Sequence, residues 1–176
     1  MTIDRALEYR RHREESDVDL QQRHAIEHEC ERLIQRFYYL FNEDLALVAD
    51  MFTDDGYLYL GTWKLGPGPE PMREPLHAGS KHMMAGVEVV LNTVSNVLVD
   101  VINDTTATGR SRDTFWEHGY YDGDLQGRPA PVSSPIGINQ WEDEFRCVDG
   151  EWKFQTRRMI PVFNNKAWKL QRVPRT

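Results

Sequence analysis

Cysteine is scarce in this chain, with two among 176 residues, and each falls inside an apolar pattern, Cys30 in a helical one and Cys147 in an alternating one. That placement fits buried, reduced thiols better than a disulfide framework and favours a cytoplasmic protein. Long apolar runs are missing: no stretch of about 18 consecutive apolar residues occurs anywhere. Met1 to Leu20 is dense in charge and has no apolar segment of the signal-peptide kind. The expectation is a chain that neither spans a membrane nor carries a classical secretion signal. Basic residues are outnumbered, 21 Lys and Arg against 28 Asp and Glu, for a formal net charge of -7. That balance argues against a nucleic-acid surface, which depends on clustered Lys and Arg. The balance suits a neutral or weakly charged small molecule. The chain also lacks a phosphate-cradling GxxxxGK loop, a GxSxG nucleophile elbow and an HExxH zinc motif. Among six histidines only His24 and His28 stand at helical i, i+4 spacing, and both lie on the polar side of their helix, where solvated histidines are expected rather than a metal site.

What is present is enough for one core. Hydrophobic residues make up 40% and aromatics 11% of a length that calls for a single domain. Residues Thr2 to Glu15 read as a charged helix or arm outside that core. From about Asp17 the pattern sharpens, with Ile26, Cys30, Leu33, Ile34, Phe37, Tyr38 and Phe41 on one helical stripe, preceded by Ser16 and Asp19 three apart as in a capping box. After a break near Asn42, Leu45 to Phe52 reads as a shorter helix closed by Thr53 to Gly56. Tyr57 to Leu60 reads as a first strand with both tyrosines on one face. Four prolines and two glycines between Gly66 and Pro75 predict a loop that continues neither sheet nor helix. Ser80 to Leu91 reads as a helix. Val94 to Val101 and Thr105 to Trp116 read as antiparallel strands joined at Asn103 and Asp104. Gly119 to Pro135 is a long Gly- and Pro-rich connection. The tail after Phe163 is basic around Trp168, and no internal repeats or low-complexity tracts occur.

The most specific local signal is Gln140 to Phe154. Asp149 and Gly150 form the preferred two-residue hairpin turn, with alternating apolar and polar residues on both sides. Trp141, Asp143 and Phe145 share one face of the first strand, and Trp152, Phe154 and Thr156 one face of the second. An acid on an aromatic face is unusual.

This hairpin, together with the long amphipathic helix that runs into Asp44 and on to Phe52, Thr53, Asp54 and Asp55, resembles the SnoaL-like branch of the nuclear-transport-factor-2-like superfamily over roughly residues 22–162. The resemblance implies an α+β cone in which a strongly curved antiparallel sheet wraps around N-terminal helices and encloses one deep pocket. Residues 1–21 then form an arm and 163–176 a tail. It also implies a homodimer formed through the outer faces of the long C-terminal strands. Relatives of this type include ketosteroid isomerases, scytalone dehydratase, polyketide cyclases and the small subunits of ring-hydroxylating dioxygenases. In the dehydratase-like relatives the pocket uses an Asp from the first helix and a His from the strand before the hairpin. This chain departs at both points, with Phe41 at the usual Asp position, Asp44 kept as the second acid, and Asn92 or Thr93 where the His is expected.

Other groups offer replacements. Ala107, Gly109, Ser111, Asp113 and Phe115 share one strand face, small residues that leave room for a ligand followed by an acid that would project into it. Asp113 is then either a desolvated proton-transfer group or half of a buried salt bridge, with Arg157 as partner. Asp143 is read as structural. Tyr38 is either a phenol that donates to a substrate oxygen or an ordinary core aromatic. Lys81 and His82, beside the Pro-rich loop, are either proton-transfer groups at a pocket mouth or solvated side chains. Phe41, Tyr57, Tyr59, Asn92, Asn96, Phe115, Asn139 and Trp141 complete the expected lining, the amides orienting a polar substituent and the indole stacking on an aromatic substrate. The activity expected is proton transfer, elimination or isomerisation on a small aromatic or alicyclic molecule without metal, nucleotide or other cofactor. The competing expectation is a ligand-binding or assembly protein.

Overall fold

A computed structural model of the chain describes residues 18–84, 89–118, 131 and 134–165, with side chains omitted for 80–84. The expected arm at Thr2 to Glu15, Ser16, most of the Gly119 to Pro135 connection and the basic tail lie outside the described residues.

Helix α1, Leu20–Glu43, carries the apolar stripe, with Ile26, Cys30, Ile34, Phe37 and Tyr38 buried. Its cap is Asp19 itself, whose carboxylate accepts from the Gln22 amide at 2.9 Å. Asp19 is thus the N-cap rather than the second member of a capping box. Asp44 ends α1 and opens a 3-10 helix, Leu45–Met51, by accepting from the Ala46 amide.

Strand β1, Phe52–Leu60, begins at the residue where a helix had been expected to end. It is followed by β2, Trp63–Leu65, and then by α2, Pro69–Met84, which overturns the Pro-rich loop from Pro69 onward; Ser80 to Met84 is helical as expected, whereas Val89 to Leu91 is strand. The prolines permit this because Pro69 and Pro71 stand in the first helical turn, where amides have no acceptor within the helix. Pro75 alone lies inside the helix. Met72 and Leu76, i and i+4 on the buried face, anchor α2 against the 3-10 helix and β1. Only Gly66 to Gly68 remains as a tight connection, with positive φ at both glycines.

The remaining strands are β3, Val89–Val101, β4, Thr106–His118, β5, Gly137–Val148, and β6, Glu151–Asn164. They join one six-stranded sheet in the order β2-β1-β6-β5-β4-β3. The sheet is mixed rather than wholly antiparallel, because β1 runs parallel to β6. Asp149 and Gly150 both have positive φ, as the predicted hairpin turn requires. Register shifts in β1–β6, β3–β4 and β5–β6 bend the sheet locally. Helix α1 packs on one face, against β3, β4 and β6. Leu58, Val99, Val101, Ala107, Trp141, Phe145 and Phe154 turn toward it and form the core with the stripe. The α+β class and the layout of helices within a bent sheet are as expected; the sheet stays open between its β2 and β3 edges.

Gly109 is a tight point. A Cβ there would stand 2.7 Å from Cε2 of Phe145, a ring that is itself buried. The space left by this small residue therefore holds Phe145 and not a ligand. Gly109→Ala should destabilise the fold by about 1–3 kcal/mol through overpacking, read as a lower midpoint in urea. An unchanged midpoint would show that the Phe145 ring moves freely aside.

Candidate functional site

Cross-strand pairing stacks the inward residues of β4, β5 and β6 into rungs. Gly109, Asp143 and Arg157 are in register, then Ser111, Trp141 and Met159, then Asp113, Asn139 and Pro161, and finally Phe115 and Gly137. Helix α1 lays Phe37 and Tyr38 over the middle of this ladder, in edge contacts with Trp141 at centroid distances of 5.7 and 6.1 Å. The lower rungs are sealed. Phe115 at the far end is half-buried.

The lowest polar rung is an ion pair. Arg157 Nη1 donates to Asp143 Oδ2 at 2.9 Å, and both side chains are fully buried. The guanidinium carbon lies 4.3 Å from the centroid of Phe37, 4.4 Å from Trp141 and 4.7 Å from Phe154, so quadrupole attraction replaces part of its lost hydration. Burial pushes the Asp143 carboxyl up to about 6, against the pull of Arg157. Asp143 and Arg157 are thus each other's partners, which removes the reading that paired Arg157 with Asp113.

Asp113 is 2% exposed and has no ion-pair partner among the described residues. Its Oδ1 accepts from the Trp141 indole Nε1 at 2.8 Å, and its Oδ2 from Asn139 Nδ2 at a long 3.3 Å. Burial raises its pKa, while the Trp141 and Asn139 bonds and the charge of Arg157 work against that rise. The Tyr38 hydroxyl is buried with no hydrogen-bond partner among the described residues, and so are Ser111 Oγ, Asp143 Oδ1 and the Nε and Nη2 of Arg157. Burial moves the Tyr38 phenol upward, partly opposed by Arg157, so it stays a donor across the physiological range.

Structure and expectation differ at several lining positions. Trp141 donates to Asp113 and offers its ring to Arg157, so it is not a platform free for stacking. Tyr57 and Tyr59 share a face, but the outer one: Leu58 takes the core side, while Lys64 sits over the Tyr57 ring and Arg158 over the Tyr59 ring. Asn96, at φ 51°, is the exposed residue of a β3 bulge. Asn92 points inward but is engaged with α1: its amide and Nδ2 donate to Asn42 Oδ1 at 2.9 and 3.0 Å, and Asn42 Nδ2 donates to the Asn92 carbonyl. Phe41, half-buried beside Phe37, stands next to this clamp, and Phe115 pairs with Asn92 across the strands. Lys81 and His82 fall in the last turn of α2, with side chains outside the described residues. His24 and His28 are exposed on α1.

Asn42 and the Asp143–Arg157 pairing escaped the sequence reading. Asn42 looked like a helix-breaking residue, and only its contact across to β3 gives it a role. Arg157 sits one place beyond the face assigned to β6, because the ladder passes from Phe154 opposite Phe145 to Thr156 opposite Glu144. Gln155 is the extra residue, and it turns Thr156 off that face and Arg157 onto it.

The SnoaL-like domain family matches residues 22–158 of this chain. The chain belongs to the SnoaL-like family. Solved structures share this SnoaL-like fold at low identity. A scytalone dehydratase-like protein from Novosphingobium aromaticivorans is 19% identical, with a TM-score of 0.65 over 84% of this chain and 91% of that one. A hexachlorocyclohexane dehydrochlorinase, LinA type 2, is 14% identical, with a TM-score of 0.66 over 84% and 92%. A protein from Novosphingobium aromaticivorans with the nuclear-transport-factor-2-like, cystatin-like fold is 16% identical, at 0.63 over 89% and 99%. No protein of curated function matches the sequence significantly. No helix among the described residues of this SnoaL-like chain is long and apolar enough to cross a membrane.

The buried acid leaves a pH signature. Asp143 has a higher pKa folded than unfolded, so between the two values the folded state holds more protons and stability falls as pH rises. Its stabilising contribution is complete below the ordinary carboxyl range and is lost as pH passes about 6. The unfolding free energy of the wild type minus that of Asp143→Asn should therefore decline from pH 4 toward pH 6 and then level off, on the order of the shift involved. A difference that rises with pH would show that Arg157 dominates and holds Asp143 ionised.

Proposed function

We propose that this SnoaL-like protein is a cofactor-independent lyase or isomerase acting on a small, largely apolar aromatic or alicyclic molecule, with Asp113 as the proton-transfer group. The observation that carries the reading is a carboxylate with no ion-pair partner among the described residues, set in an aromatic interior and held on one oxygen by an indole N–H. Such a group is raised toward neutrality, where a base is most effective. In an elimination, Asp113 Oδ2 takes a proton from carbon and the C–H electron pair becomes the new double bond. The leaving group departs from the neighbouring carbon, and the Tyr38 phenol donates a hydrogen bond to an oxygen there. In an isomerisation, Asp113 returns the proton at a second carbon. The names of two structural neighbours, a scytalone dehydratase-like protein and a dehydrochlorinase, denote eliminations and support this reading, with identities of 19% and 14% that by themselves carry only the fold.

A second reading has an observation of its own. Where the family resemblance places a His and an Asp, this chain has the Asn42–Asn92 clamp beside Phe41. A non-catalytic ligand-binding or assembly protein, of the kind of a ring-hydroxylating dioxygenase small subunit, would need no more. The catalytic reading is preferred because Asp113 and Tyr38 remain as buried acid and donor. A cytoplasmic location and a homodimer belong to the same proposal. Both cysteines are free, and strands β3 and β6 expose Leu91, Leu98, Val162 and Phe163.

Asp113→Asn keeps the shape and removes the base, so with a turned-over substrate it should lower kcat by roughly a hundredfold or more while the fold persists. Wild-type turnover in that variant would remove Asp113 from the mechanism. Turnover should survive extensive chelation; loss that zinc restores would overturn the cofactor-free reading. Light scattering at micromolar concentration should give twice the monomer mass, and the monomer mass would dismiss the dimer.

A further inference from the structure

The Asp143–Arg157 pair is more than a stabilising contact would require. Its guanidinium makes one hydrogen bond among the described residues, through Nη1, and leaves Nε and Nη2 without partners. A buried ion pair of this kind is often no more stabilising than apolar residues of similar volume. What the arrangement does secure is a position. The guanidinium lies 4.4 Å from the Trp141 ring centroid, and that indole sits one rung above it in the sheet ladder. The same indole points Nε1–H at Asp113 Oδ1, 2.8 Å away. Phe37 and Tyr38 press on Trp141 edge-on from α1. A cation against the indole face also draws electron density from it, which makes the N–H a stronger donor.

We infer that Arg157, held by Asp143, is a positioning residue for Asp113 that acts through the Trp141 indole. The indole fixes Oδ1, and Oδ2, with only the 3.3 Å contact to Asn139, is left as the proton-accepting oxygen. The groups that act on Asp113 are Trp141 and Asn139 from β5 and Arg157 from β6, and its charge in turn raises the Tyr38 phenol on α1. Tyr38 stays neutral across the physiological range. The catalytic consequence rests on the proposed role of Asp113, but the positioning can be observed without any substrate.

The test follows the Trp141 indole N–H resonance in isotopically labelled protein, assigned by its loss in Trp141→Phe, together with the titration of the Asp113 carboxyl carbon. In the wild type the indole resonance should move with the Asp113 midpoint and lose that dependence in Asp113→Asn. Trp141→Phe should raise the Asp113 midpoint, because a bond to the charged form is removed. Arg157→Lys keeps the charge and loses the flat guanidinium, so the indole resonance should move upfield and the Asp113 midpoint should rise. In the Trp141→Phe background the same substitution should have a smaller effect. If Arg157→Lys does not fold, Asp143→Asn, which preserves shape and releases the guanidinium, should produce the indole shift instead. An indole resonance and an Asp113 midpoint both unchanged in the folded Arg157 or Asp143 variant would overturn the inference and leave the pair as scaffold. With a substrate, Arg157→Lys should lower kcat by up to about a hundredfold with KM little altered, the effect of a misplaced reacting group. Wild-type turnover in Asp113→Asn would sink the catalytic proposal alone, since the resonance and titration results would stand.

Discussion

A guanidinium with no exposed surface is the constraint around which the rest of this structure is arranged. Moving Arg157 out of water costs several kcal/mol even after relaxation, and removing its partner alone would cost about 3–5 kcal/mol. The chain meets that cost from three elements at once. Strand β5 supplies Asp143, α1 supplies the ring of Phe37, and β5 and β6 supply Trp141 and Phe154. None of these contacts forms unless α1 lies across the hairpin at one height and the β5–β6 register is shifted by one residue. The buried cation therefore ties helix placement, strand register and core packing to one another.

The same ladder grades the interior from a sealed floor to a more open end. At the floor, the rings of Phe145, Phe154 and Phe52 stack in tilted contacts and Gly109 yields its space to Phe145. The ion pair follows, then Trp141 with Ser111, then Asp113 with Asn139, and last the half-buried Phe115. A carboxylate two rungs above Arg157, with the Trp141 rung between, feels the cation weakly and burial strongly, so its pKa is raised without being neutralised by contact. Two rungs lower it would be an ion pair, as Asp143 is. One rung higher it would enter half-buried surroundings and approach an ordinary carboxyl group.

Elements with sustained periodicity were legible in the sequence. The stripe of α1 shows because its apolar residues hold a helical spacing all the way from Ile26 to Phe41. The Asp149–Gly150 hairpin shows because only residues tolerant of positive φ fit its turn. The inward face of β4, from Ala107 to Asp113, shows because no bulge interrupts it. Each failure has a local physical cause. Prolines at 69 and 71 look like breakers, yet they occupy the turn of α2 that has no use for their missing amides. Tyr57 and Tyr59 share a face as expected, but period-two alternation does not say which face is inner, and Leu58 has the stronger claim to the core. Asn96 lies in a bulge and Arg157 next to one, and one inserted residue reverses every assignment beyond it. The candidate site was thus half legible: Asp113, Asn139 and Trp141 come together, whereas the cation that organises them is hidden by a one-residue slip.

Placing the acid on β4 rather than α1 changes what must hold it. An acid on the helix could be turned or partnered by its neighbours one turn away. At the corresponding place this chain has apolar Phe41, and Asn42 is spent on clamping Asn92, so the C-terminal end of α1 is fixed to β3 through amides that do not titrate. Basicity must then come from desolvation alone, and desolvation works only if water stays away from the carboxylate in every conformation the site visits. A strand paired on both sides along its length provides that rigidity, since β4 is bonded to β3 and β5 from Ala107 to Phe115 apart from the single β3 bulge. The ion pair below, the amide clamp beside and the paired strands on either side are three answers to one requirement, that a lone buried carboxylate keep its orientation while nothing charged touches it.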